Sequence, residues 1–576
     1  MHVLIDVSKF LTVESVMRLS ILLACLIAVS LSGCKTSQRN MTPIGAYMTA
    51  KEQTKPARAA LERGDTMGAY ALMQAAINRA NADENANLEM RLRFELATIF
   101  KVAGRPNMAK RSLEETVVAA ETQARPADVG LAYMMLAELA LSQHRVSDVD
   151  ALMRQAIAAF DQTSNHEMRA EARLYLAEQS KTLSPAGRRS LVQEAIDEIE
   201  FEQQRQDYIV RGAVLMASDA IRRKRYDEAN DYLTEAEPTV SKEDGVGAKT
   251  RINFWVLKVD VAQHLEGGEA RDRTWAEGAA ALDASDGTYA RVAVLSWFAE
   301  AILLDDYARL ARAVARRAVA VAESFLPEER RREAAFAKFS KGAGVNFGAF
   351  QTFGPTIALP HIVLGDVAMD LDDFKGAVGA YEQALLFLPK LKPEGELVFG
   401  PKWLVMRPWT LRGEALRKTA AAYAATGDRE KALKLLWEAD FLAERDGDNL
   451  QSHLVDFDIA IVLGDFDSAK AIVAQNQSLE RSGILISKDT KARMFLAIAE
   501  LAKDRSPGSV AGYIRKAMLV KPVRRLTAIR VVEMAMADEP TLTQSAKFRE
   551  PHAVMTKFLA ERQEQTIEIA WGPLTR

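Results

Sequence analysis

Only two side chains in this sequence offer thiol chemistry, Cys25 and Cys34, and both lie near its start. A thiolate is a strong nucleophile, so a cysteine in a defined local pattern is a candidate for covalent modification. Cys34 follows a small Ser-Gly pair, which itself follows an apolar run of 13 residues from Leu19 to Leu31. A run of this length is typical of the core of a secretion signal and is too short to span a bilayer comfortably.

No other set of residues has the spacing that catalysis requires. The sequence contains no pair of histidines spaced for zinc on one helix face, no Gly-x-Ser-x-Gly elbow and no phosphate-binding loop ending in Gly-Lys-Ser/Thr. We therefore expect no enzyme activity, no metal and no cofactor. The seven histidines are scattered singly: His2, His144, His166, His264, His361, His453 and His552.

Other short charged or glycine-rich motifs have structural interpretations. The pairs Asp305-Asp306 and Asp372-Asp373 fall where helices are expected to end, which indicates capping rather than acid–base catalysis. The glycines at 342, 344 and 348 lack the spacing and the preceding strand of a dinucleotide loop. The net charge of −3 and the basic runs 222–225 and 330–332, which lie beside acidic residues, indicate solvated helix faces and not a nucleic-acid site.

The motif Leu31-Ser32-Gly33-Cys34 resembles a bacterial lipobox. The resemblance implies cleavage before Cys34, attachment of diacylglycerol to its thiol, acylation of the new amine and anchoring of the chain in a membrane through these acyl chains. Lys35 takes the place of the aspartate that resembles an inner-membrane retention signal, which points to the periplasmic face of the outer membrane. An ordinary secretion signal with an incidental cysteine is the alternative.

These motifs predict how the first 55 residues are organised. Residues 1–33 form the signal peptide, with translation starting at Met17 because the preceding segment contains Asp6 and Glu14, and residues 34–55 form a flexible tether. Cys25 leaves too short an apolar core to be the modified residue. No free thiol then remains, so the mature chain contains no disulfide.

The rest of the sequence contains a repeat. Residues 359–389 resemble a tetratricopeptide (TPR) unit, with Leu364-Gly365 on a first helix, Ala377, Tyr381 and Ala384 on a second helix, and a closing Pro389. Small residues are needed where two helices cross closely, and proline stops the second helix. The unit lacks the early tryptophan and has Ala368 where the family has a tyrosine.

Weaker copies of this unit extend over roughly residues 55–540, and the clearest of them lies at about 414–446. Apolar residues recur at three- and four-residue spacing, which indicates amphipathic helices and no strands. The resemblance implies an all-α fold, an α-α superhelix of about ten to twelve hairpins, with an irregular helical bundle as the alternative. We expect an N-terminal solenoid at 56–340, a C-terminal solenoid at 341–540 and a capping helix with a tail at 541–576.

Two segments rich in glycine, proline and aromatic residues interrupt the repeat, at 341–358 and 389–410. Long loops with exposed aromatic residues often carry function, so these side chains are candidate partner contacts. The alternative is that they pack inward and seal irregular joints. The candidates are Phe347, Phe350, Phe353, Phe399, Trp403 and Trp409.

The repeat itself offers a second candidate contact. In the clearest unit, the resemblance places Leu359, Ile362, Asp366 and Met369 on the first helix, facing the groove. These residues are mostly apolar, which favours an apolar or helical ligand, and a basic clamp for a terminal carboxylate is not evident.

The sequence therefore supports a lipid-anchored adaptor or scaffold that binds envelope proteins through its groove or insertions. It acts in assembly or maintenance of the bacterial cell envelope and does not bind nucleic acid. The alternatives are a non-catalytic regulatory subunit, an enzyme acting on cell-wall polymers and a structural spacer. No segment longer than about 60 residues escapes the helical pattern, which leaves little room for a catalytic domain.

Overall fold

The computed structural model describes residues 42–62, 65–102, 105–143, 145–240, 246–284, 288–305, 307–342, 354–388, 408–446, 449–481, 486–520, 525–538, 569 and 571. Of these residues, 88% are helical and none belongs to a strand. Backbone contacts divide the chain into two compact units, Met1–Asp128 and Val129–Arg576. None of the described helices is both long and apolar enough to cross a membrane.

The first unit consists of short antiparallel helices joined by three-residue links. Its helices are α1 (Pro43–Glu62), α2 (Thr66–Ala82), α3 (Ala86–Val102), α4 (Pro106–Thr122) and the start of α5 (Pro126–Ser142). Because α1 begins at Pro43, helical structure starts inside the segment that we expected to be a tether up to residue 55.

The second unit continues the same alternation from α5 onward. Its helices are α6 (Val146–Phe160), α7 (His166–Gln179), α8 (Pro185–Asp197), α9 (Glu202–Arg222), α10 (Tyr226–Val240), α11 (Ala248–Leu265), α12 (Gly268–Asp283), α13 (Thr288–Leu304), α14 (Ala308–Gly342), α15 (Gly354–Asp370), α16 (Phe374–Phe387), α17 (Pro408–Ala425), α18 (Arg429–Asp446), α19 (Asn449–Leu463), α20 (Phe466–Ala474), α21 (Asn476–Arg481), α22 (Lys488–Arg505), α23 (Val510–Leu519) and α24 (Arg525–Asp538).

One turn geometry recurs between the described helices. The residue after the turn donates its backbone N–H to the carbonyl five residues earlier, as in the bonds from Asp65 to Ala60 and from Asp373 to Ala368. This bond satisfies a carbonyl that the helix end leaves without an intrahelical partner. The residue before the donor often has positive φ, including Glu84, Lys224 and Gly427.

The turn also measures the repeat length. In the first unit the accepting carbonyls belong to Ala60, Ala80, Phe100 and Ala120, so each helix and its link occupy 20 residues and each hairpin 40. A TPR unit has about 34 residues. The hairpin of α15 and α16 matches that length, whereas the first unit builds the same arrangement from longer helices.

The buried residues of the motif confirm a TPR-like helical-hairpin fold. Ala377, Tyr381 and Ala384 are all buried on α16. A Cβ on Gly365 would lie 2.3 Å from the Tyr381 ring, so the first helix must carry glycine there. The pairing of the described helices is compatible with the expected ten to twelve hairpins.

The predicted join between two solenoids near 341–357 does not correspond to a break in the core. One apolar cluster extends from Val210 on α9 to Val367 on α15, and it includes Ile357 and Val363 beside the residues of α13 and α14. Interruptions between helices are tolerated because closing a longer loop costs little extra entropy. The packing division between the two compact units lies instead near residue 128.

The C-terminal residues also differ from expectation. We expected residues 541–576 to cap the last hairpin, but Ile569 and Trp571 pack against the cluster of α9 to α15. The Arg317 guanidinium of α14 lies 5.5 Å from the centre of the Trp571 ring. The end of the chain therefore contacts a hairpin near the middle of the second unit.

Candidate binding surface

Most of the residues predicted to contact a partner or a lipid lie outside the described residues. These are Cys34, Phe347, Phe350, Phe353, Phe399 and Trp403. Trp409 lies in the first turn of α17, with its side chain outside the description.

The four predicted groove residues of α15 lie within the described part. Ile362 is buried in the cluster formed by α15, α16 and α17, and Leu359 and Met369 pack partly buried against the same cluster. Asp366 is half-buried and makes polar contacts. The apolar members of the set therefore contribute packing, and the charged member leads to a larger surface.

Asp366 joins three helices. The Tyr381 hydroxyl of α16 donates a 2.6 Å hydrogen bond to one of its carboxylate oxygens. The Lys418 ammonium of α17 lies 2.7 Å from the other oxygen. Burial and the Asp366 charge raise the pKa of the Tyr381 hydroxyl well above its usual value, so it remains a donor.

The next first helix, α17, contributes both signs of charge. Lys418 also contacts Glu414 at 3.0 Å, one helical turn away. Burial opposes the charge of Lys418, but the carboxylates of Asp366 and Glu414 outweigh it and raise the pKa of the ammonium. The Lys418 charge in turn lowers the pKa of Glu414. The three groups are therefore all charged near neutral pH.

A second ion pair links α17 to α19. The Arg417 guanidinium lies 3.0 Å from the Asp458 carboxylate, and both side chains remain about one quarter exposed. Burial raises the pKa of Asp458 although Arg417 acts in the opposite direction. The surroundings of this pair are thus poorly solvated despite its access to solvent.

Glu300 on α13 lies at the other side of Asp366. Its side chain is exposed, and within the described residues it makes no ion pair or hydrogen bond. Even so, desolvation raises its pKa, and the carboxylates of Asp366 and Glu414 add to the effect while Lys418 opposes it. An exposed carboxylate that is nevertheless desolvated is typical of a concave surface.

The recurrent turn shows that these acidic residues share one register. On each first helix we take the residue two positions before the carbonyl that accepts the turn bond. This residue is Asp260 on α11, Glu300 on α13, Asp366 on α15 and Asp458 on α19, with Ala421 at the equivalent position of α17. The register places a carboxylate at the same height on four of five successive first helices.

We call this surface the charged strip. Its five carboxylates and two cationic groups give a formal charge of −3, and Asp260 and Glu300 are the members without a lysine or arginine partner among the described residues. Its members are Asp260, Glu300, Asp366, Glu414, Arg417, Lys418 and Asp458.

Only Asp366 of this strip was found from the sequence. The others lie on helices whose repeat motif is weak, so the family pattern does not register them. A usable signal exists: Asp260, Asp366 and Asp458 each lie six residues before the last residue of a first-helix turn, at Glu266, Asp372 and Gly464.

The basic run at 222–225 has its expected structural role. Arg222 and Arg223 pair with Asp219, and Arg225 approaches Glu228. The side chains of the run 330–332 lie outside the description.

The predicted capping aspartates are also explained where they are described. Asp373 accepts the N–H of Gly376 as the N-cap of α16, and Asp305 accepts from Arg271 and Trp275. Among the described residues, no group of three or more His, Cys, Asp or Glu side chains is placed to hold a metal ion.

Comparisons with known proteins give structural neighbours only. No protein-family model matches the sequence, and no curated protein matches it either. A Rap protein complexed with competence and sporulation factor is 11% identical, covers 69% of this chain and 100% of its own, and has a TM-score of 0.36. Aspartyl phosphate phosphatase F from Bacillus subtilis is 12% identical, covers 71% and 97%, and has a TM-score of 0.35. A signal-transduction ATPase from Pyrococcus horikoshii with a tetratricopeptide repeat sensor is 11% identical, covers 84% and 72%, and has a TM-score of 0.31.

Proposed function

We propose that this chain is a lipid-anchored scaffold of the bacterial cell envelope that binds partner proteins along the first helices of its second unit. The observation that carries the binding role is the charged strip, which crosses α11, α13, α15, α17 and α19 at one register. Stacked helical hairpins offer extended surfaces of this kind to other proteins.

The anchoring part of the proposal rests on the sequence around Cys34. Two or more acyl chains on one residue hold a protein stably on a membrane, whereas one chain binds only marginally. Lys35 supports the outer membrane as the destination. Only seven residues separate Cys34 from Thr42, where the described structure begins, and an extended segment of that length reaches about 25 Å.

Mass spectrometry of the membrane-extracted protein tests the anchor. We expect the mature chain to begin at Cys34 and to carry diacylglycerol and an amide-linked acyl chain. The Cys34→Ala variant should remain unprocessed or leave the membrane fraction. A mature chain that begins elsewhere with an unmodified Cys34 contradicts the anchor.

Affinity purification of the acylated protein after crosslinking in intact cells tests the scaffold. We expect one or a few envelope proteins in stoichiometric amounts. A clean preparation without an envelope partner would count decisively against the adaptor and would favour a spacer.

The two aromatic insertions need a separate test because deleting 341–410 would also remove α15 and α16, with the buried Ile362 and Tyr381. The double variant Phe353→Ala and Trp403→Ala leaves these helices in place. Lost partner capture with normal stability assigns the insertions to partner contact, while lost stability assigns them to packing.

A further inference from the structure

We propose that the charged strip binds an extended, positively charged segment of a partner protein, with lysine or arginine side chains placed along successive first helices. This inference rests on the proposed scaffold function and names the chemistry of its ligand. It differs from the expectation drawn from α15 alone, where the apolar residues favoured an apolar or helical ligand.

Charge complementarity is the first argument. Within the strip, Arg417 and Lys418 neutralise their nearest carboxylates, and the formal excess of −3 remains. Asp260 is approached by His264 at 3.3 Å and by no lysine or arginine of the described residues, and Glu300 has no described partner. The unpaired charge therefore lies at the α11 and α13 end.

The cost of leaving these carboxylates unpaired is the second argument. Glu300 is exposed to solvent, yet the surrounding protein disfavours its charged form. A cationic side chain that entered beside it would replace the missing solvation and attract both Glu300 and Asp366. Interactions in such poorly solvated surroundings are screened less by salt than those on an open surface.

The repeat spacing is the third argument, since it fixes the ligand's form. Helices that pack side by side lie about 8–10 Å apart. An extended chain advances about 3.3 Å per residue, so every third residue would meet the next first helix. The hydrogen-bonded contacts of Lys418 with Asp366 and of Arg417 with Asp458 show that a cation can bridge neighbouring first helices of this strip.

A labelled peptide of Lys-Ala-Ala repeats is a direct probe, used with the purified full-length chain in fluorescence anisotropy at low ionic strength. We expect saturable binding that weakens as salt is added, and no binding of the matched Glu-Ala-Ala peptide. Binding of both peptides, or of neither, overturns the inference.

The decisive variant combines Asp260→Asn with Glu300→Gln. Neither change breaks an ion pair to a lysine or arginine of the described residues, so the fold should be retained. Two lost contacts of ordinary exposed ion-pair strength correspond to about tenfold weaker binding. The matched control combines Glu235→Gln with Glu277→Gln, which removes two exposed carboxylates from the second helices α10 and α12.

The control should bind the peptide within about twofold of the original chain, since its charges lie on other helices and are screened at that distance. Equal losses in both double variants would show that only net charge matters and would overturn the assignment to the strip. If crosslinking captures a partner that the Asp260/Glu300 variant still binds normally, the inference fails while the scaffold function stands. If no partner exists, the scaffold function fails independently of the peptide result.

Discussion

The hairpin of α15 and α16 and the hairpin of α11 and α12 solve the same packing problem with exchanged parts. In the first, glycine lies on the first helix and the aromatic ring on the second: a Cβ on Gly365 would lie 2.3 Å from Tyr381. In the other, Gly278 lies on the second helix, and its Cβ would meet Phe298 of α13 at 2.8 Å and Trp255 of α11 at 3.1 Å.

This exchange shows that a weak motif does not mean a loose hairpin. Phe254, Trp275 and Phe298 are fully or almost fully buried around α11 to α13, although this region matches the repeat motif poorly. The two hairpins also treat charge differently. Asp283 at the end of α12 has no exposed side-chain surface and contacts Arg291 and Arg317, whereas Asp366 of α15 remains 24% exposed.

The largest expected effect is on the buried charge. The Asp283→Asn variant leaves Arg291 and Arg317 without their carboxylate, and we expect it to lower the free energy of unfolding by about 3–5 kcal/mol. Urea denaturation followed by circular dichroism measures the loss. Asp366→Asn is the matched control, with an expected loss of about 1 kcal/mol because its partners remain partly solvated. Equal losses would remove this difference between the two hairpins.

The next effect tests the exchange of glycine and ring. Gly365→Ala and Gly278→Ala each force a ring to shift, and we expect each to lower the free energy of unfolding by about 1–3 kcal/mol. Tyr381→Leu should partly relieve the first change and Phe298→Leu the second, which double-mutant cycles measure. If Phe298→Leu simply adds its own loss, the ring that limits Gly278 is a different one.

The recurrent turn gives smaller effects of opposite sign. Gly427 in the α17–α18 turn has φ of 90°, and Gly427→Ala should lower the free energy of unfolding by about 1 kcal/mol. Lys224 in the α9–α10 turn has φ of 58°, and Lys224→Gly should raise it by about 0.5–1 kcal/mol, since glycine adopts positive φ without a steric penalty. The midpoint of thermal unfolding reports both. A stabilising Gly427→Ala would show that the turns are not equivalent.

The smallest effect concerns pH and the consensus hairpin. Burial lowers the pKa of His361, whose ring stacks on Phe387 of α16 at 5.9 Å. The unfolded chain therefore binds this proton first, so the free energy of unfolding should fall as pH decreases through about 6.5, by about 1 kcal/mol or less. His361→Phe should reduce the difference between urea midpoints at neutral and mildly acidic pH. An unchanged difference assigns the pH dependence to other groups.

The sequence was sufficient for the fold class because helix periodicity and the Gly365–Tyr381 pair are local patterns. It was not sufficient for Gly278, whose partners Trp255 and Phe298 lie on two other helices. The charged strip escaped for a related reason. Lys418 meets Asp366 across 52 residues of sequence, and only the stacking of first helices brings them together.

The place of the C-terminus could not be read from the sequence either. The spacing of Val554, Phe558 and Leu559 favours a helix beside its sequence neighbours. The contact of Trp571 with Arg317 instead depends on an aromatic face meeting a cation already held by Asp283. Nothing in the local sequence at either end reports that partner.

The contact of Trp571 with α14 has a mechanical consequence. In a stack bound only by neighbouring interfaces, tension applied to the ends peels hairpins off one at a time from a terminus. Trp571 and Arg317 are 254 positions apart in the sequence, so tension between them is borne by this contact before α15 to α24 are loaded. Single-molecule pulling from the two ends should show one early rupture that the Trp571→Ala variant lacks.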